Sequence, residues 1–314
     1  MIITIESKAR PCPGVEKAIS MAEDALRHGE TVYSVGELIH NSREIERLEK
    51  LGLTCIDSQE LSEKENVEQE YAGSDFLVRA HGERQTVIDQ ARECGLNPIN
   101  ATCQIVLHSQ EMVEQHMRDG WRIIIVGKKE HPEVLGLLDR TNGNGSVVST
   151  ASEAKDQEFE ERSLLLAQST VDPELFSSVR RILSQRLSDL KIMDTTCRFL
   201  RTRKKDIIEF SQKQDVVLIV GGKHSSNCRL LFENAEKVNP RSYHIEGPGD
   251  LDWSWFKAED HVGITGGAST PRWQMEEVKK YLENRSKEKN PKGLKNRKGG
   301  LFTWWMKKRT PKTK

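Results

Sequence analysis

Three cysteines stand at nearly even intervals along this chain of 314 residues, Cys12, Cys103 and Cys197, 91 and 94 positions apart. Each ends a strand-like run and precedes a helical one. The last two close near-copies of one phrase, PINATC at Cys103 and IMDTTC at Cys197. Evenly spaced thiols on repeated units predict three lobes that meet at one point, each bringing one sulfur. Three thiolates, rather than four, suit an iron–sulfur cluster with one iron left open for substrate. The other three cysteines have plainer readings. Cys55 lies in a strand pattern and Cys94 in a helical one, where cysteine packs as a small hydrophobe. Cys228 sits at a helix start, a position that favours reactivity, but has no counterpart in the repeated phrase.

The pattern between the cysteines sets the fold class. Short apolar runs recur at 31–41, 75–83, 122–133, 163–170, 215–227 and 261–270, and most end in a loop bearing Gly, Ser or His. Amphipathic stretches such as 15–29, 43–52, 86–95 and 276–287 alternate with them. Continuous apolar runs alternating with helices indicate parallel strands covered on both faces. The expected fold is therefore α/β, with three similar lobes of mainly parallel sheets meeting at a central site. The lobes are drawn at 13–99, at 100–193, and at 1–12 joined with 194–284. The segment 143–162 reads as a surface excursion holding one short strand.

Charge narrows the partners. Of the 48 basic and 48 acidic residues, twelve and one fall in 285–314, so the rest of the chain carries a net charge of −11. That body gives no basis for nucleic-acid binding. The basic tail 285–314, ending in LFTWWMKKRTPKTK, is expected to be disordered. The other reading of its aromatic and basic residues is contact with an anionic membrane surface or a partner. No apolar run is long enough to span a membrane, and the N-terminus lacks a secretory pattern. A cytoplasmic location follows, where cysteines are thiols or metal ligands rather than disulfides.

Further groups gather at the strand ends. His40, His81 and His131 each directly follow an apolar strand. A loop histidine bonded to a carbonyl explains any one of them. Three in equivalent places are harder to explain that way. Strand-end histidines can ligate zinc or donate to phosphate, and the absence of HExxH or CxxC spacing gives a standard zinc site little support. The loops GGKHSSN (221–227) and TGGAST (265–270) set hydroxyls, an amide and backbone N–H groups at helix starts, a geometry that cradles anions. Each taken singly is an ordinary strand-to-helix turn, but with the histidines they suggest a diphosphate. Glu133, two residues after His131, is a candidate general acid if burial raises its pKa.

The ordered motifs CPG (12–14), IHN (39–41), RAHG (79–82), ATC (101–103), HPEVLG (131–136), QST (168–170), TTC (195–197), GGKHSSN and GGASTP (266–271) resemble the LytB family of 4-hydroxy-3-methylbut-2-enyl diphosphate reductases. The resemblance runs to about residue 283. It implies a trefoil of three α/β lobes around a 4Fe–4S cluster held by Cys12, Cys103 and Cys197, and the last step of the methylerythritol phosphate route to isoprenoids. It implies a diphosphate gripped at His40, His81, Ser225, Ser226, Asn227 and Ser269, with His131 alongside. Glu133 takes the place of the family's proton donor and Ser169 that of its neighbouring threonine. The products would be isopentenyl and dimethylallyl diphosphate, with electrons from a donor such as ferredoxin or flavodoxin.

The chain also departs from the family pattern. Pro11 and Pro13 flank the first cysteine, Asn100 and Gln104 replace an aspartate and a proline around the second, and Leu200 and Lys204 replace a threonine and a glutamine after the third. Arg203 is kept. Groups around a metal site tune its potential and reactivity more than its assembly. Two other readings stand beside the reductase: a relative that keeps the cluster and senses without turnover, and a mononuclear zinc or iron phosphohydrolase built on the histidines.

Overall fold

A computed structural model describes residues 1–27, 31–63, 71–223 and 225–289. Strand β1 (Ile2–Ile5) and helix α1 (Pro13–Leu26) open the chain. They are followed by β2 (Val32–Val35), α2 (Ser42–Glu49), β3 (Leu53–Ile56), α3 (Glu60–Glu63), β4 (Asp75–Val78), α4 (Gln85–Glu93) and β5 (Asn97–Asn100). Helix α5 (Gln104–Arg118) leads to β6 (Arg122–Val126), α6 (Pro132–Asp139), β7 (Gly145–Val148), α7 (Glu153–Asp156), β8 (Ser163–Ala167), α8 (Pro173–Arg186) and β9 (Leu190–Ile192). Last come α9 (Arg198–Ser211), β10 (Val216–Val220), α10 (Ser226–Glu236), β11 (Ser242–Ile245), β12 (His261–Gly266) and α11 (Arg272–Lys289).

The strands form three four-stranded sheets, in the orders β3-β2-β4-β5, β7-β6-β8-β9 and β1-β12-β10-β11. Every strand pair is parallel. This is the expected α/β architecture of three lobes. The central strands β8 and β10 are buried at every position, as strands covered by helices on both faces must be. In β12, Gly263 gives α9 its seat, because a Cβ there would lie 2.6 Å from Phe210 and Gln214. Helix starts follow local chemistry: Pro13, Pro132 and Pro173 occupy first-turn positions, and Asn41 and Asp172 cap α2 and α8 by accepting backbone N–H groups.

One topology repeats three times. The first and third strands of each lobe lie side by side in the middle of its sheet, and the chain leaves them toward opposite edges. Such a switch point opens a crevice beyond the carboxyl ends of the strands. The third lobe completes its sheet with β1, which takes the position that β5 and β9 hold in the other two. The first cysteine therefore follows a fourth strand just as the other two do, although it lies near the N-terminus. The segment 143–162 carries β7, an edge strand, and the short α7. The tail boundary at 285 needs correcting. Helix α11 continues to Lys289, through Lys and Glu residues that favour helix, with Lys279 and Glu283 paired one turn apart at 3.8 Å. Residues 290–314, the rest of the tail, lie outside the described residues.

Candidate active site

Each of the three cysteines is the N-cap residue of the helix that follows its fourth strand: Cys12 of α1, Cys103 of α5 and Cys197 of α9. None forms a side-chain capping bond, and all are free thiols. Their backbones are held by one repeated contact. The N–H of Cys12 donates to the Ala268 carbonyl at 2.8 Å, that of Cys103 to Ala80 at 2.9 Å, and that of Cys197 to Ser169 at 2.7 Å. In each case the acceptor sits in the loop after the third strand of the same sheet. Sequence repetition thus becomes spatial repetition.

The three side chains line one central cavity of about 750 Å³, its open mouth included. Gly14 permits the approach of the first two, since a Cβ there would lie 2.7 Å from the Cys103 sulfur. Burial pushes the Cys12 and Cys197 thiols up, while first-turn N–H groups aimed at each sulfur oppose it. Those N–H groups are the positive ends of their helices and favour a thiolate once a metal is bound. Among the described residues no three His, Cys, Asp or Glu side chains gather tightly enough to hold a single metal ion. Three free cysteines lining one cavity are nevertheless the donor type that an iron–sulfur cluster takes.

The second lobe brings an acid to the same cavity. Glu133, at the start of α6, is 1% exposed. Its Oε1 accepts the Ser169 N–H at 2.6 Å and its Oε2 accepts the Ser169 hydroxyl at 2.8 Å. Both bonds favour the carboxylate, but burial outweighs them and raises the pKa to about 7. Beside it, His131 caps α6 by accepting the Glu133 N–H at its Nδ1, 3.1 Å away. Burial first, then neighbouring His40, Lys128 and Arg79, lower the His131 pKa to about 4. The imidazole is therefore neutral, and with Nδ1 accepting, its proton belongs on Nε2.

His40 and His81 come from the first lobe and stack at 4.0 Å, with His131 edge-on to both at 5.5 and 5.7 Å. Burial, reinforced by the other two rings, holds His81 well below the usual histidine range. Stacked rings do not converge their nitrogens on one ion, which removes support from the mononuclear phosphohydrolase. The third lobe supplies Ser225, Ser226, Asn227 and Ser269 to the same cavity. Ser225 accepts the Cys228 N–H at 3.3 Å, and its hydroxyl also bonds the Cys228 thiol. Ser269 donates its hydrogen to the His40 carbonyl at 3.0 Å. Among the described residues, His81 Nδ1 and Asn227 Nδ2 are buried without a hydrogen-bond partner. Each such group costs about 1–3 kcal/mol unless something enters to bond it.

All twelve residues singled out in the sequence line this cavity. Two cations close to it were not singled out. Arg79, just before Ala80 and His81, is ion-paired with Glu83. Lys128, after β6, donates from Nζ to Ser226 Oγ at 2.9 Å. In the sequence Lys128 shows only as a basic residue at a strand end, too common to select, and Arg79 only as the first residue of the RAHG motif. Leu200 also lines the cavity, beside Cys197. Cys228 is fully buried against Gly221 and Gly267, with its thiol pushed up by that burial; it does not line the cavity.

Comparison with known proteins agrees with this geometry. The family model described as "LytB protein" matches residues 3–283. A 4-hydroxy-3-methylbut-2-enyl diphosphate reductase of Aquifex aeolicus is 35% identical over 285 residues, spanning 90% of this chain and 96% of its own. One from Bacteroides fragilis is 34% identical over 288 residues, with 90% and 97% covered. Among solved structures, one of (E)-4-hydroxy-3-methyl-but-2-enyl diphosphate reductase, described as the terminal enzyme of the non-mevalonate pathway, matches with TM-score 0.70 and 34% identity over 90% of this chain and all of that one. A reductase structure from Plasmodium falciparum, at 22% identity and TM-score 0.78, shares the fold over 90% of this chain and 88% of its own. With three parallel α/β lobes around a three-cysteine cavity and these matches along nine-tenths of its length, the chain belongs to the LytB family.

Proposed function

We propose that the chain is a 4-hydroxy-3-methylbut-2-enyl diphosphate reductase whose 4Fe–4S cluster is held by Cys12, Cys103 and Cys197. The reaction removes the allylic hydroxyl as water, consumes two electrons and two protons, and yields isopentenyl and dimethylallyl diphosphate. The electrons come from an external one-electron carrier of the ferredoxin or flavodoxin class. The observation that carries this reading is the meeting, in one cavity, of three uncapped cysteines with a buried acid poised near neutrality. When bound, the cluster supplies the electrons and an open Lewis-acidic position.

The residues of the chain do the rest. Near pH 7 about half of Glu133 is protonated, the condition for a proton donor matched to its task. The backbone N–H of Ser169 can only donate, so it holds Oε1 as an acceptor. The acidic proton therefore resides on Oε2, against the Ser169 hydroxyl. That hydroxyl turns freely, accepts from Oε2 and passes its own hydrogen to the departing hydroxyl group of the substrate. Asn227 Nδ2 and the His131 Nε2–H donate to diphosphate oxygens, with the Ser225 hydroxyl beside them. The stacked His40 and His81 complete that wall. Ser269 joins them once its hydrogen leaves the His40 carbonyl.

Anaerobic purification tests the proposal. A brown protein with about four irons per chain that turns over the substrate with a chemical reductant supports it. The same iron without turnover converts the protein into a cluster-bearing sensor. A colourless protein with one zinc overturns the cluster assignment.

A further inference from the structure

The cavity that is to hold a diphosphate is poor in positive charge. His131, with a pKa of about 4, and His81, held lower than usual, are neutral at physiological pH. The guanidinium of Arg79 is ion-paired with Glu83, which is itself buried. Neutral donors alone bind a multiply charged anion less well than a set that includes an ammonium or guanidinium, because charge-assisted hydrogen bonds are about twice as strong. A cation would strengthen such a set, and one reaches the cavity wall through Ser226.

Lys128 leaves the carboxyl end of β6, at the switch point of the second lobe, on the loop that ends at His131 and leads into the helix of Glu133. Its backbone is anchored by its own N–H, which donates to Gln168 Oε1 at 3.0 Å. Among the described residues it has no carboxylate within ion-pairing distance, whereas its neighbour Lys129 pairs with Glu153 at 3.5 Å. The side-chain partner of Lys128 is the Ser226 hydroxyl of the third lobe, 2.9 Å from Nζ. Ser226 lines the cavity with His40, His81, His131 and Asn227. The Lys128 charge also reaches inward far enough to count among the cations that disfavour protonation of His131.

The direction of the Lys128–Ser226 bond matters. An ammonium can only donate, so Ser226 Oγ is the acceptor and its own hydrogen is left to point elsewhere. A hydroxyl that accepts from a cation is also a stronger donor.

We propose that Lys128 is a substrate-binding residue, the cation of the anion site, which engages a terminal phosphate oxygen together with the Ser226 hydroxyl and joins the second lobe to the third across the bound anion. The proposal rests on the diphosphate reading above, but it concerns binding and requires no turnover. Inorganic pyrophosphate is therefore the probe, titrated calorimetrically into the cluster-loaded protein at low and at raised salt. Lys128→Met should weaken its binding about tenfold and flatten the salt dependence, since a screened charge has been removed. Lys128→Arg should stay within about threefold of the parent, and Lys128→Glu should abolish measurable binding. Lys128 is exposed, so thermal unfolding of all three should match the parent. Unchanged affinity in Lys128→Met, or no pyrophosphate binding by the parent protein, overturns the proposal. Lys128-dependent binding in a protein that does not reduce the substrate leaves the anion site standing and removes only the reductase reading.

Discussion

The cavity has two kinds of wall, and they were built differently. The cysteine positions are three copies of one arrangement: a fourth parallel strand, a cysteine as uncapped N-cap, and its N–H on a carbonyl of the third-strand loop. The loops after the first and third strands occupy equally equivalent places, yet they differ in every lobe. The first brings the stacked imidazoles of His40 and His81, the second His131, Glu133 and Ser169, and the third hydroxyls and an amide. Repetition suits a symmetrical anchor, where each ligand does the same thing. Divergence suits a reaction, which needs an anion at one end and a proton at the other.

The largest effect should come from breaking the repeat. Cys12→Ser, Cys103→Ser and Cys197→Ser should each lose cluster iron and reduce turnover to background, measured as iron per chain and as rate. The equivalence argued above requires the three to be indistinguishable. A variant that keeps full iron would remove its cysteine from the ligand set.

On the divergent wall the effects should separate by lobe. Glu133→Gln should retain the colour and the pyrophosphate affinity while kcat falls about 10²–10⁴-fold, the range of a positioned general acid. In the parent, kcat should fall as pH rises through about 7, because the acid form is the active one. A flat profile across that range would end the role of Glu133. Asn227→Ala, in the third lobe, should leave iron untouched and weaken pyrophosphate about tenfold, by removing a buried donor that has no partner among the described residues.

A smaller effect is thermodynamic. The folded-state pKa of Glu133 lies above its unfolded value, so the folded protein holds this proton between pH 4.5 and about 7. Stability is full below the unfolded value and declines as pH rises through the folded one. Glu133→Gln, which stays neutral, should match the parent in chemical denaturation at pH 5 and exceed it by about 1–3 kcal/mol at pH 8. Equal stability at both values would mean that burial does not set this group's titration.

The seams between lobes differ as well. The first and third are tied by a buried network: Asn41 and Gln274 exchange hydrogen bonds at 2.8 and 3.0 Å, Asn41 also reaches the Ser269 carbonyl, and Trp273 donates to Glu44. The second and third are joined at the crossover by bonds between Thr195 and the Ala167 backbone. The exposed Lys128–Ser226 bond and a 3.5 Å contact of Lys204 with Glu174 also cross the seam. A cleft lined by Thr170, Arg201 and Lys204 runs along this seam and shares Ser169, Cys197 and Leu200 with the central cavity. Gln274 and Trp273 gave no hint of this in the sequence, because their partners lie more than 200 positions away.

What the sequence determined by itself is local and periodic. Apolar runs of strand length alternating with amphipathic helices required parallel sheets, and polar groups at the ends of those runs had to gather beyond the strand ends. The even spacing of Cys12, Cys103 and Cys197 announced the repeat. Tertiary structure alone decided the rest. It laid β1 against β12, which no periodicity requires of residues paired, as Ile2 and His261 are, 259 positions apart. It buried Glu133 and so moved its pKa, stacked two histidines from different loops, and set Lys128 against a serine of another lobe. Pattern along a chain reports which face of each element is apolar. Desolvation and contact between distant loops depend on how those faces assemble, and no window of neighbouring residues contains that distance.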